Sequence, residues 1–150
     1  MSDGGDNGRQ PPEIPPTYRA GTLTGGWSLI TISVWAGVGV GLAAVWAASR
    51  QIGLSTWWLG PPSGGQPLAI HLIPFAFPTV VIASALLRVR WVWLIGVVAS
   101  LGIAAIALGD LGRVARLGLI EVALSSAGLA VSLASWSGTL RTGVTTYNER

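Results

Sequence analysis

The alternation of apolar and polar residues along this chain is coarse, with blocks of about twenty apolar residues separated by short polar connections. The blocks run from Trp27 to Ser49, Leu68 to Leu87, Trp91 to Gly109 and Leu117 to Leu140. Each approaches the ~20 residues that cover ~30 Å of hydrocarbon at 1.5 Å per residue. The pattern predicts an all-α protein, an integral membrane four-helix bundle, with spans over 27–49, 68–87, 91–109 and 117–140. Residues 1–26 are rich in Gly, Pro, Asp and Gln and hold only Ile14, Tyr18 and Leu23 as sizeable apolar residues. Such a stretch buries too little surface to offset its ordering entropy, so a disordered polar N-terminal tail is expected, with a short C-terminal tail over 142–150. Its EIPPTYR piece, pre-set by two prolines, could serve as an extended docking motif.

Composition sharpens this picture. Apolar residues make up 51% of the chain and charged residues 10%, with a mean hydropathy of +0.60. All nine basic residues are arginine. A pI near 10.6 would suit a nucleic-acid binder if the arginines clustered on a soluble surface. Most instead sit near span ends, where a guanidinium reaches lipid phosphate, so lipids and other membrane subunits are the expected partners and nucleic acid is not.

The absence of cysteine removes disulfides, thiolate metal sites and thiol redox chemistry. A single histidine cannot clamp a haem between helices or supply a zinc site, so no cofactor and no metal is expected. Nor does the opening look like a signal peptide, which would pair a basic start with an apolar core of roughly 7 to 15 residues.

The arginine count predicts an orientation. Arg9, Arg19, Arg88, Arg90, Arg141 and Arg150 fall on one side, against Arg50, Arg113 and Arg116 on the other. An excess of arginine marks the cytoplasmic side, which predicts a multi-pass inner-membrane protein with both termini in the cytoplasm. Arg88, Arg90 and Arg141, with Trp91 and Trp93, are expected to anchor that face, joined by Trp27 and Trp136 in an aromatic belt. On the other face, Trp57 and Trp58 in the QIGLSTWWLGPPSGGQP connection are expected to lie at headgroup depth as lipid anchors, the competing reading being a partner-binding loop.

Chemistry is sparse. His71, Pro74 and Pro78 open the second span, where each proline removes an amide donor and predicts a kinked or loosely wound start. Freed carbonyls near an imidazole could form a proton or ligand site, although Pro74 also lies near the helix start, where proline is tolerated. Glu121 is the only acid expected inside a span. The topology gathers His71, Glu121, Arg50, Asp110, Arg113 and Arg116 at the outer end as a polar or partner site, with Glu121 paired to His71 or to an arginine. A structural ion pair there, or a glutamate snorkelling to the interface, is favoured over a catalytic acid. Ser33, Gly37 and Gly41, and Ser126, Ala130, Ala134 and Gly138, recur every fourth residue and would let helices approach closely.

Function is constrained mainly by exclusion. Phosphate loops, nucleophile elbows and HExxH motifs are missing, as is the cluster of acids, histidines or cysteines that a membrane-embedded enzyme would need, so no enzymatic activity is expected. The first expectation is a non-catalytic accessory or assembly subunit of a larger membrane complex. The GGWS start of span one, the QIGLSTWWLGPP loop and the all-arginine usage resemble small four-helix membrane proteins of actinobacteria. One such type accompanies a mammalian-cell-entry (Mce) lipid importer, and the resemblance implies a part in lipid uptake but carries over no functional residue. The alternative is a small four-helix transporter or channel using an outer-leaflet His71/Glu121 site. Small multidrug exporters have that outline, but their pattern places a glutamate in the first span, and here that span holds no charge before Arg50.

Overall fold

The computed structural model describes residues 20–54, 56–60 and 67–139, and these form four helices. They are α1 (Gly25–Ile52), α2 (Leu68–Leu86), α3 (Val92–Leu111) and α4 (Ala115–Ser137). All four are long and apolar enough to cross a membrane, which makes the chain, by length and composition, a multi-pass membrane protein. At 28 residues α1 is ~42 Å long at 1.5 Å per residue, more than the hydrocarbon alone requires.

The helix ends are made by backbone geometry and not by side-chain caps. α1 stops at Gly53, whose φ of 67° lies in the left-handed region that glycine tolerates. At the end of α2, Val89 N donates to Ser84 O (2.9 Å) and Arg88 N to Ala85 O (3.2 Å). That is the Schellman arrangement, with Arg88 at φ 52° in the place glycine usually takes. α3 and α4 are joined by a tight turn in which Asp110 O accepts from Arg113 N (3.0 Å) and Val114 N (2.8 Å). α2 continues as helix through Pro74 and Pro78, both buried, and the Pro78 ring lies against Gly39 of α1.

Each helix packs on its sequence neighbours, and α1 also packs on α4, closing the bundle into a ring. Trp35, Val38, Leu42, Val81 and Ile103 fill its middle. The Trp35 ring fits because Gly128 offers no side chain; a Cβ there would sit 3.1 Å from the indole. Serines complete the interior by bonding to helix carbonyls. Ser100 Oγ donates to Gly96 O (2.9 Å), Ser132 Oγ to Gly128 O (2.6 Å), and Ser125 Oγ reaches across from α4 to Ser100 O on α3 (2.9 Å). Outward-facing positions are also apolar, including Val40, Leu108 and Leu119, as lipid contact demands. On the α2–α3 face Phe77, Val80, Leu94, Ile95, Val98 and Ala99 line an apolar groove of about 270 Å³.

At the end of the bundle where α1 begins and α4 stops, the polar tail does not run disordered as far as residue 26. Leu23 pairs with Thr139 as an isolated antiparallel bridge, Thr24 N donates to Gly138 O (3.2 Å), and Thr22 is buried. The cause is tertiary, since laying α1 beside α4 gives residues 22–24 a backbone to pair with. Residues 1–19, including the EIPPTYR motif through Arg19, lie outside the described residues.

Candidate functional site

The opposite end of the bundle carries the chemistry. After Gly53 the chain folds back over the helix ends, and Leu59 N (3.2 Å) and Gly60 N (3.1 Å) both donate to Thr56 O in a compact turn. Ser49 Oγ donates to Leu54 O at the start of this loop. The Leu59 carbonyl gathers two side chains, Arg50 Nη2 of α1 (3.3 Å) and His71 Nε2 of α2 (3.1 Å). Because a carbonyl can only accept, His71 presents Nε2–H to it.

The two tryptophans dock the loop. Trp58 is 1% exposed and packs with Val45, Leu59, Ile106 and Leu117, its ring edge-on to Phe75 at 6.3 Å. Its indole Nε1 donates to Glu121 Oε1 on α4 (3.2 Å). Trp57 donates its backbone N–H to Asp110 Oδ1 on α3 (2.8 Å) and its indole N–H to Ile106 O (3.1 Å). Its ring lies on Gly109, where any Cβ would stand 2.8 Å from it. The loop is thereby tied to the ends of α3 and α4 by three hydrogen bonds.

Beneath it, Asp110 and Glu121 are both wholly buried. Adjacent tryptophans of one loop bind them, and the helices that carry them are in backbone contact beside them. The close approach comes from Gly118, one turn before Glu121, where a Cβ would lie 2.8 Å from Leu111 N and 3.2 Å from the Asp110 carbonyl carbon. Arg113, exposed on the α3–α4 turn, is the cation whose field reaches Asp110.

Several expectations are corrected here. Trp58 is no headgroup anchor; it faces the bundle interior because its donor has a buried carboxyl to satisfy, while Trp57 remains 40% exposed. The hydrogen bond of Glu121 goes to Trp58, not to His71 or an arginine, since His71 and Arg50 are engaged on Leu59 O. Asp110 belongs to the last turn of α3 and not to the connection after it. Arg116 is exposed at the start of α4. Among the described residues, no group of three or more His, Asp or Glu side chains could hold a metal.

At the termini end Trp93 stacks on Trp136 (5.7 Å between centroids) and meets Trp91 (6.3 Å), with Trp91 and Trp136 strongly exposed. Arg88 and Arg90 are exposed at this end, and Arg141 lies outside the described residues. Sequence reasoning missed Thr56 and the donor role of Trp58. Adjacent tryptophans beside a single intramembrane acid were the available signal, but neither their burial nor their partner follows from spacing. No family model matches the chain, and neither a curated protein nor a solved structure matches it.

Proposed function

We propose that this protein is a non-catalytic accessory subunit of a larger membrane complex, docking on its partners within the bilayer through the adjoining outward faces of α1 and α4. One observation carries this reading, the unequal size of the exposed side chains. On α1 the outward positions include Ser33, Gly37 and Ala44, and on α4 Ala127, Ala130 and Ala134. Between residues 33 and 47 of α1 and 123 and 134 of α4 the bulky exposed residues are Val40 and Leu133 alone, whereas α3 exposes Leu94, Val98, Leu101 and Leu108 beside Ala105 and Gly109. Lipid tails are as apolar as leucine, so helices associate in a membrane by close packing, and small residues allow backbones to approach. A bulky α3 face suits lipid; a small-residue α1/α4 face suits other helices.

The likeness in GGWS and QIGLSTWWLGPP makes a lipid importer of the Mce type the first complex to look for. On the arginine count we place both termini in the cytoplasm.

The test is a mild-detergent pull-down of the tagged chain beside an Ala130→Leu/Ala134→Leu variant. Co-purification of a defined large assembly with the parent chain, lost in the variant, supports the reading. A lone homo-oligomer that moves cations in liposomes would replace it with a small transporter.

A further inference from the structure

A docking subunit has no need of a buried acid pair, and the pair at the loop end is built with care. Asp110 and Glu121 come from different helices, are wholly buried, and are bound by adjacent residues of one loop. One oxygen of each is satisfied by the tryptophan loop, Asp110 Oδ1 by Trp57 N and Glu121 Oε1 by Trp58 Nε1. The other oxygens, Asp110 Oδ2 and Glu121 Oε2, receive no donor from the protein.

Ionised carboxylates have acceptors only, so two that meet with no donor between them repel, and strongly so away from water. Close packing holds the two helices together here, since at Gly118 the α4 backbone lies against Asp110 and Leu111 of α3. Besides Thr31 Oγ1, which lies near the start of α1 at the other end of the bundle, the remaining buried oxygen without a partner among the described residues is Thr56 Oγ1, one residue before the amide that binds Asp110.

We propose that Asp110 and Glu121, with Thr56 beside them, form a binding site for one monovalent cation, a proton or a sodium ion, which joins the two carboxyls and keeps the 56–60 loop clamped over the bundle. The donor set selects this class. Calcium and magnesium each demand a shell of six or more oxygens, magnesium in strict octahedral geometry with several waters, whereas a proton needs only two oxygens and a sodium ion can share with the protein's donors the carboxylate oxygens that already accept a hydrogen bond. Zinc prefers nitrogen and sulfur ligands. The other charged groups at this end do not replace the cation. Arg50 and His71 are held on Leu59 O, Arg116 is exposed at the start of α4, and Arg113 acts on Asp110 from an exposed turn.

The site is read on the isolated chain, so its fate is independent of whether any partner complex is found. The purified protein in lipid nanodiscs is examined by infrared spectroscopy in choline and in sodium buffers near neutral pH. Subtracting the Asp110→Asn/Glu121→Gln double variant cancels the acids of the tails. A carboxylic-acid carbonyl band present in the difference spectrum and indifferent to sodium identifies a bound proton. A band seen in choline and lost as sodium is added identifies sodium competing for the same oxygens. Either supports the site. The absence of any such band in choline, with no spectral change on adding sodium, overturns it. Circular dichroism of the double variant establishes that it retains its helices. A Thr56→Val variant, with both acids intact, should weaken sodium competition if sodium is the occupant and leave the band unchanged if it is the proton.

Discussion

The indole N–H of Trp58 meets Glu121 Oε1 at 3.2 Å, joining residues 63 positions apart, and both side chains are buried. This one bond fastens the α1–α2 connection to α4. Trp58→Phe keeps an aromatic ring among Val45, Ile106 and Leu117 but withdraws the donor, leaving a second Glu121 oxygen unsatisfied. The expected loss is about 1.5–3 kcal/mol, the range for hydrogen bonds to charged groups and for a buried acceptor left alone. Thermal unfolding in detergent measures it. In a Glu121→Leu background the same change should cost much less, and equal losses in both backgrounds would refute the coupling.

Gly118 is the pivot of the α3–α4 contact. In Gly118→Ala the new Cβ would meet backbone atoms, Leu111 N at 2.8 Å and Leu111 Cα at 3.0 Å, which cannot rotate aside. The helices must move apart beside the acid pair, at an expected cost of about 1–3 kcal/mol for overpacking. Gly37→Ala, where a Cβ meets nothing within 4 Å, should leave the unfolding midpoint of the isolated chain unchanged or raise it slightly, because alanine loses less backbone entropy inside a helix. A smaller loss at Gly118 than at Gly37 would show that the contact is looser than described.

Arg88 carries a conflict between its backbone and its side chain. Its φ of 52° closes the Schellman turn in a conformation that costs an L-residue roughly 1–2 kcal/mol, a cost glycine avoids. Arg88→Gly should therefore raise the unfolding midpoint. A fall instead would mean that contacts of the guanidinium outweigh the backbone relief.

Orientation is checked by reporter fusions. A reporter active only in the periplasm should be silent when fused after Arg150 and active when inserted between residues 61 and 66. Replacing both Arg88 and Arg90 with glutamine should blur that contrast, because this short connection carries two arginines and no acid. An active fusion after Arg150 in the parent chain would reverse the topology.

The four helices were legible because a membrane span is a one-dimensional signal. Its length is dictated by bilayer thickness and its composition by the absence of water, so the ends of α2 and α3 fall within two residues of those expected. The fit is poorer where backbone contacts decide. α1 runs on to Ile52, three residues past the expected end, because left-handed Gly53 is what stops it, and residues 22–24 are ordered by pairing with the end of α4.

By itself, then, the sequence determined how many times this chain crosses, roughly where each crossing starts and stops, and that His71, Glu121, Asp110 and the arginines of two connections belong to one end. Only the tertiary structure decided which of them touch. Every helix is apolar on all sides, so no amphipathic stripe announces the inward face, and Trp58 and Thr56 carry no mark of burial. Burial and pairing there follow from Gly118 and Gly109 letting helix and loop close on α3, a relationship between residues distant in the chain that no local pattern encodes.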